Sequence, residues 1–160
     1  MAKKIKTNAL RLLDQAKIDY QVHEYPHGKD AVDGVEVACL MKEDPACVFK
    51  TLITQANTKE YLVFMVPVAK ELDLKKAAKA AGVKNTEMIH VKDITKVSGY
   101  VRGGCSPLAM KKQYRTFIDE SALLQDHIYF SGGKIGLQIE TDPNQLIELL
   151  QIQATAVVKE

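Results

Sequence analysis

Residues 47–66 read CVFKTLITQANTKEYLVFMV, and this stretch decides the fold. Its first part, residues 47–55, is rich in β-branched and aromatic side chains, and its last part, residues 61–66, is apolar almost throughout. Segments of this composition predict β-strands. The polar residues 56–59 between them predict a turn, so the two strands should form a hairpin. A continuous apolar run is typical of a strand covered on both faces, which places residues 61–66 inside a sheet.

Helices and further strands surround this hairpin along the chain. Apolar residues at helical spacing predict helices. Thr7 and Asp142 are the expected N-caps of two of them, and Gly82 is expected to end a third. These helices lie near residues 10–16, 33–41, 72–81, 93–97 and 143–150. Short runs of β character predict strands at residues 20–25, 115–119, 128–131, 136–140 and 154–158. Because strands and helices do not alternate regularly, we predict an α+β fold around one mixed sheet.

The composition indicates one globular domain that spans residues 1–160. Of the 160 residues, 46% are hydrophobic and 26% are charged, and the net charge is +2. Single domains cluster at about 100–150 residues. No apolar stretch approaches the roughly 20 residues of a membrane span, and the N-terminus lacks the apolar region of a signal peptide. Three cysteines without CxxC spacing indicate reduced thiols, so we expect a cytoplasmic protein with no membrane partner.

Lys50 is the first candidate for a functional residue. It lies in the first strand of the hairpin, where side chains alternate between the two faces, so it shares a face with Val48 and Leu52. A lysine on an apolar face is partly desolvated and could bind a carbonyl oxygen or a phosphate in a dry pocket. The alternative is a lysine whose stem lies along the sheet while its ammonium group reaches water.

A glycine-rich loop, Gly103-Gly104-Cys105-Ser106-Pro107, is the second candidate. Paired glycines allow positive φ and close approach of the backbone to a ligand. Successive backbone N–H groups could form an anion-binding nest or an oxyanion hole. The alternative is a structural turn, since glycine, serine and proline are common in turns.

Ser131 begins a second glycine-containing segment, Ser131-Gly132-Gly133-Lys134. This segment is not a Walker A motif, because Ile135 stands where serine or threonine is required and the upstream glycine is missing. A hairpin turn is the simpler interpretation, in which Ser131 at the strand end is still able to reach a ligand.

Nucleophilic catalysis by Cys105 needs a neighbouring base and a lowered pKa. The sequence places none of the four histidines beside it, so this hypothesis is weak. There is no HExxH, CxxC or carboxylate-rich motif, and we expect neither a metal nor another cofactor.

Two groups of lysines are candidates for contacts with an RNA backbone. Lys75, Lys76 and Lys79 lie on the predicted helix at residues 72–81, and Lys111 and Lys112 follow the glycine loop. Cationic side chains in such groups bind phosphates by releasing counterions. The alternative is two solvated protein faces, which the nearly balanced total charge also fits.

Three segments together resemble a known family. They are VFKTL at residues 48–52, GYVRGGCSPL at residues 99–108 and YFSGGKIGL at residues 129–137. Their order and spacing are similar to those of the YbaK/EbsC family of free-standing aminoacyl-tRNA deacylases, which is related to the editing domain of bacterial prolyl-tRNA synthetases. The likeness extends from about residue 12 to residue 150, nearly the whole chain.

The resemblance implies a fold, an activity and a set of site residues. The fold is a single α+β domain with a curved mixed sheet approaching a barrel, flanked by helices. The activity is hydrolysis of the ester in mischarged tRNA, chiefly cysteine on the tRNA for proline, with prolyl-tRNA synthetase as a partner. The central lysine of the family corresponds to Lys50, its GxxxP loop to residues 103–107, and two pocket positions to Tyr25 and Ser131. Cys105 replaces a more usual aliphatic residue, and Ala109 stands where glycine is frequent.

This assignment leads to a mechanistic hypothesis. Lys50 orients the ester carbonyl or the terminal phosphate, and the N–H groups of residues 103–106 stabilise the developing oxyanion. No protein base is evident, which leaves bound water, with the terminal ribose hydroxyl acting as helper, or the thiol of the substrate as the attacking group. The alternatives are a non-catalytic RNA- or protein-binding module, a deacylase for another small amino acid such as alanine, and a thiol hydrolase that uses Cys105.

Overall fold

A computed structural model of the chain describes residues 6–28 and 32–160. The helices of this part are α1 (Asn8–Gln15), α2 (Gly34–Leu40), α3 (Leu74–Ala81), α4 (Ile94–Ser98) and α5 (Pro143–Leu150). The strands are β1 (Gln21–Glu24), β2 (Phe49–Ala56), β3 (Tyr61–Pro67), β4 (Thr86–Met88), β5 (Arg115–Asp119), β6 (Ile128–Ser131), β7 (Leu137–Thr141) and β8 (Gln153–Thr155). No helix among these residues is long and apolar enough to cross a membrane.

The predicted hairpin is confirmed and forms the middle of the larger sheet. β2 and β3 pair antiparallel, with Lys50 opposite Val66. The larger sheet has the strand order β4-β2-β3-β5-β8, and β3 and β5 as well as β5 and β8 pair in parallel, so this sheet is mixed. Residues 62–66 of β3 are completely buried, because β2 and β5 flank the strand and other elements cover both of its faces. The apolar run in the sequence reflects this position.

The remaining strands form a smaller antiparallel sheet with the order β1-β7-β6. It is connected to the larger sheet by a parallel bridge between Val48, just before β2, and Tyr129 in β6. The mixed α and β character is therefore confirmed, but the strands of the described part are divided between two sheets instead of one. These two sheets are not closed into a barrel.

Three apolar clusters hold the sheets and helices together. The largest lies between the two sheets and includes Phe49, Met65, Phe130 and Ile139, with residues of α1 and α5. A second cluster packs α3 against the larger sheet, and in it Phe64 stacks on Phe117 with ring centroids 5.0 Å apart. A third, small cluster around Val48 and Tyr129 lies at the junction of the sheets.

Most predicted element ends agree with the structure. Thr7 caps α1 by accepting a hydrogen bond from the Leu10 N–H (3.3 Å), and Asp142 caps α5 by accepting one from the Asn144 N–H (2.9 Å). The predicted last strand is shifted, since β8 spans Gln153–Thr155 and the chain then leaves the sheet. There the Val157 N–H donates to the buried carboxylate of Asp119 (3.1 Å), and this bond replaces a strand pairing. β4 was not predicted, because its three residues are too few to show a pattern.

The loop between α4 and β5 contains a residue in an unusual conformation. Ala109 has φ +57°, in the left-handed region that glycine adopts readily and other residues avoid. The resemblance noted above has glycine as the frequent residue at this position, and the backbone angle gives the physical reason.

We expect Ala109→Gly to raise the free energy of unfolding by about 0.5–1 kcal/mol. Relief of the left-handed strain of an L-residue, roughly 1–2 kcal/mol, exceeds the extra freedom that glycine has in the unfolded chain, roughly 0.4–1 kcal/mol. Urea unfolding followed by circular dichroism measures the difference.

A matched control is Ala80→Gly in α3, which should lower the free energy of unfolding by about 1 kcal/mol because glycine is a poor helix former. A loss of stability in Ala109→Gly would contradict the proposed strain.

Candidate active site

A cavity of about 910 Å³ opens at the junction of the two sheets. It is lined by two segments of the sheets, the first residues of β2 and the ends of β6 and β7. The start of α2, the segment 88–94 and the loop 101–105 complete the lining. Five of the predicted site residues contribute to this lining, namely Tyr25, Lys50, Gly103, Cys105 and Ser131. These five residues are up to 106 positions apart in the sequence, and the packing of the sheets brings them to one cavity.

Lys50 lies half-buried in the wall of the cavity. Within the described part of the chain it forms no ion pair and no side-chain hydrogen bond, whereas other cationic side chains such as Arg115 pair with carboxylates. An ammonium group next to an apolar wall and without a counterion attracts an anionic or strongly polar ligand. Lys50 is therefore placed to bind a ligand inside the cavity.

The glycine loop begins with a tight turn. The Gly104 N–H donates to the Val101 carbonyl oxygen (2.9 Å), and Gly103, the third residue of this turn, has φ +83°. A positive φ at this position is the signature of a type II turn and explains why glycine occupies it. The Gly104 N–H is thus not free to bind an oxyanion, and the hypothesis that all N–H groups of residues 103–106 do so is wrong for Gly104.

The remaining N–H groups of the loop belong to Gly103, Cys105 and Ser106, of which the first two are in residues that line the cavity. The backbone hydrogen bonds of the described residues include no acceptor for the N–H groups of Gly103 and Cys105, and both residues line the cavity. Unpaired backbone donors at the edge of a cavity are the usual components of an anion-binding site.

The other loop residues of the GxxxP pattern support the loop and do not line the cavity. A Cβ atom on Gly104 would lie 2.9 Å from Cα of Lys134, so only glycine permits this approach of the loop to the turn between β6 and β7. Ser106 is completely buried, and its hydroxyl accepts a hydrogen bond from the Leu108 N–H (3.3 Å). Pro107 is buried as well. These residues fix the position of Gly103 and Cys105.

Cys105 does not have the surroundings of a catalytic nucleophile. Burial raises the pKa of its thiol to about 11, and the Ser98 side chain only partly opposes this effect. The thiol is therefore protonated near neutral pH, and a thiol is a poor nucleophile. Among the described side chains no histidine is hydrogen-bonded to it; His23 and His127 pair with Glu140, and His27 bonds the Gly28 carbonyl oxygen. The structure thus argues against a thiol hydrolase.

Tyr25 and Ser131 border the cavity where the smaller sheet ends. The Ser131 hydroxyl accepts a hydrogen bond from the Gly133 N–H (3.2 Å), and the Tyr25 N–H donates to the Gly136 carbonyl oxygen (3.0 Å). Residues 132–136 form the turn between the antiparallel strands β6 and β7, as predicted, and Ser131 at the end of β6 lines the cavity.

The predicted RNA-contacting lysines do not line this cavity. Lys75 and Lys79 are exposed and line a separate, shallow depression of about 300 Å³ beside α3. Lys76 is directed elsewhere, because its ammonium group donates to the Val158 carbonyl oxygen (2.9 Å). Lys111 and Lys112 are exposed and follow the glycine loop. Four of the five lysines are thus exposed and could reach an RNA backbone.

Sequence reasoning missed several residues of the cavity. Its rim carries three half-exposed apolar side chains, Met88 (47% exposed), Val91 (56%) and Val101 (52%), next to the exposed Arg102. Its wall includes the polar residues Thr51 and Gln138. Gln138 stands between apolar residues of β7, which is a signal in the sequence, but its place beside Ser131 depends on the strand register. Among the residues described, no group of three or more His, Cys, Asp and Glu side chains is arranged to hold a metal ion.

Comparison with known proteins shows the relationship. The family model for the aminoacyl-tRNA editing domain matches residues 29–149. A relative from Enterococcus faecalis, named "Putative Cys-tRNA(Pro)/Cys-tRNA(Cys) deacylase EbsC", is 43% identical over 144 residues, which cover 90% of this chain and 88% of the relative. The resemblance seen in the three sequence segments is thereby confirmed.

Solved structures share the fold. One described as "a putative trans-editing enzyme for prolyl tRNA synthetase" has a TM-score of 0.81 at 20% identity and covers 95% of this chain and 93% of the other. The hypothetical protein APE2540 has a TM-score of 0.86 at 19% identity and covers 96% of this chain and 100% of the other. At these identities the likeness establishes the fold alone. The family model and the curated relative together show that the chain belongs to the aminoacyl-tRNA editing domain family.

Proposed function

We propose that this protein is a free-standing deacylase that hydrolyses the ester between a wrong amino acid and the 3′ end of tRNA. The observation that carries the proposal is the convergence of the unpaired Lys50 ammonium and the unpaired N–H groups of Gly103 and Cys105 on one cavity. Membership in the editing domain family supports the reaction. The name of the Enterococcus relative supports cysteine on the tRNA for proline as the first candidate substrate.

The dimensions of the cavity fit the reactive end of such a substrate. Its volume of about 910 Å³ falls in the range of small-molecule sites, about 300–1,000 Å³. The aminoacyl ester would occupy the interior beside Lys50. The terminal adenine would then lie against the apolar rim formed by Met88, Val91 and Val101, with Arg102 near a phosphate.

The chemistry follows from the positions of these groups. Lys50 binds the ester carbonyl oxygen or the terminal phosphate and holds the ester in place. The N–H groups of Gly103 and Cys105 stabilise the negative charge that develops on the carbonyl oxygen during attack. Water, assisted by the neighbouring ribose hydroxyl, acts as the nucleophile; alternatively the substrate thiol attacks the carbonyl and releases the tRNA, and water then hydrolyses the resulting thiolactone. After net addition of water, the products are the free amino acid and the 3′ hydroxyl of tRNA.

The need for a separate editing enzyme has a physical basis. A binding pocket distinguishes side chains that differ by one methylene by only about 1–3 kcal/mol. Small amino acids are therefore activated in error, and hydrolysis at a second site corrects the error. We assign Lys75, Lys79, Lys111 and Lys112 to contacts with the tRNA backbone, outside the cavity.

Residues 1–160 act as one editing domain in the cytoplasm, where charged tRNA is used, and prolyl-tRNA synthetase is the proposed partner. The two sheets together serve as the curved, barrel-like scaffold that the resemblance implies, with the cavity at their junction.

Lys50→Ala should lower kcat/KM for release of cysteine from Cys-tRNA for proline by about 10²- to 10³-fold, the usual effect of removing one group that stabilises the transition state. Release of labelled cysteine under single-turnover conditions measures the rate. Circular dichroism confirms that the variant is folded, and Ala-tRNA as a second substrate shows which small amino acid is preferred.

The matched control is Lys159→Ala, which removes an exposed lysine that pairs with Glu71 on the surface and should leave the rate unchanged. Full activity of a folded Lys50→Ala protein would overturn the assignment. Binding of tRNA without hydrolysis by the wild type would instead indicate a non-catalytic RNA-binding module.

Cys105→Ala should retain most of the deacylase activity, because the partly buried thiol is protonated and only the backbone N–H of residue 105 contributes to the reaction. The same single-turnover assay applies. Complete loss of activity in a folded Cys105→Ala protein would show that the thiol takes part in the chemistry.

A further inference from the structure

Three buried side-chain polar atoms in the described part of the chain have no hydrogen-bond partner, namely Thr51 Oγ1, Ser121 Oγ and Gln138 Oε1. Two of these three atoms, those of Thr51 and Gln138, belong to residues that line the cavity. Buried polar groups in native proteins are nearly always paired, so each exception needs an explanation. Both oxygens are shielded from solvent in the free protein, so a small side-chain rotation is needed to present them to the cavity. Their shared location indicates that a ligand of this cavity then completes the pairing.

Gln138 is the more informative of the two residues. It lies in β7, the central strand of the smaller sheet, directly opposite Ser131 of β6. The neighbouring Leu137 and Ile139 belong to the core between the sheets, so Gln138 points to the opposite face together with Ser131. Gln138 is only 6% exposed. Its amide oxygen is thus a buried acceptor without a donor, and rotation of the amide about its terminal bond turns this oxygen toward the cavity.

The nature of the missing donor follows from the aminoacyl ester. The ester carbonyl oxygen is an acceptor and therefore belongs to Lys50 and the N–H groups of the loop. The α-amino group is the substrate's strong donor, and it is attached to the carbon next to that carbonyl. Among the described lining residues the only carboxylate is that of Asp33, which is exposed to water at the start of α2. Deeper in the wall, Gln138 and Thr51 supply neutral oxygen acceptors.

We infer that the Gln138 amide oxygen accepts a hydrogen bond from the free α-amino group of the aminoacyl ester, with the Thr51 hydroxyl as a second acceptor. Gln138 thereby makes the enzyme selective for aminoacyl-tRNA over tRNA esters whose nitrogen is acylated, such as peptidyl-tRNA. This inference rests on the proposed deacylase function, and it adds a class of substrate that the site accepts and a class that it rejects.

The test compares wild type and Gln138→Met on three tRNA esters that carry cysteine, N-acetylcysteine or 3-mercaptopropionate. The last lacks the amino group without added bulk, so it separates the lost hydrogen bond from steric exclusion. For each ester, kcat/KM is divided by the rate of spontaneous hydrolysis, which removes differences in intrinsic reactivity. The wild type should prefer the cysteine ester over the 3-mercaptopropionate ester by about 10-fold or more, the effect of one hydrogen bond to a charged group.

Gln138→Met should lose this preference by hydrolysing the cysteine ester more slowly while its rate on the 3-mercaptopropionate ester stays the same. Its melting temperature should not fall, because methionine fills the same space without an unpaired acceptor. Gln145→Met, at an exposed position of α5, serves as the matched control and should behave like the wild type.

Equal preference in Gln138→Met and the wild type would overturn the inference, as would a wild type that hydrolyses the cysteine and 3-mercaptopropionate esters with equal efficiency. The second comparison needs no variant, so it decides the question even if Gln138→Met does not fold. A wild type that hydrolyses none of the three esters would contradict the proposed function itself, and the two failures are therefore distinguishable.

Discussion

The parallel bridge between Val48 and Tyr129 determines where the cavity lies. β2 pairs with β3 and β4 in the larger sheet, while the residue just before it pairs with β6 of the smaller sheet. The chain therefore passes from one sheet to the other two residues before Lys50. This crossing brings Lys50 close to the ends of β6 and β7, and the glycine loop completes the enclosure. Without the bridge, the lysine would face an open sheet surface.

The site retains polar groups that the fold itself does not use. Lys50 has no counterion, the N–H groups of Gly103 and Cys105 have no acceptor, and the Gln138 amide oxygen has no donor within the described part of the chain. The buried Gln138 amide oxygen disfavours the folded state, and the apolar clusters of the two sheets offset the loss. The concentration of these groups in one cavity is the pattern expected of a binding site whose ligand supplies the missing partners.

Local signals in the sequence were sufficient for much of the fold. The β2–β3 hairpin, the caps at Thr7 and Asp142 and the end of α3 each depend on neighbouring residues, so composition and spacing predicted them. The division of the strands between two sheets depends on contacts between distant residues, and no local pattern carries that information.

The resemblance to a known family selected Lys50, the glycine loop and Ser131. The structure brings these residues to one cavity, except for the three loop residues Gly104, Ser106 and Pro107, which do not line it. The resemblance did not distinguish residues of the loop that face the cavity from those that hold it, because the turn that occupies the Gly104 N–H is visible only in three dimensions. Gln138 was missed for the same reason, since only the register of β6 and β7 places it beside Ser131.

The central claim is that one cavity takes the aminoacyl end of tRNA and that Lys50 binds it there. The most direct measurement is a crystal structure with a non-hydrolysable analogue, adenosine carrying cysteine through a 3′ amide. The account predicts that the analogue occupies the cavity, with its carbonyl oxygen in hydrogen-bonding distance of the Lys50 ammonium or of the Gly103 and Cys105 N–H groups. An analogue bound outside the cavity, for example in the depression beside Lys75 and Lys79, with Lys50 directed to solvent, would contradict the account.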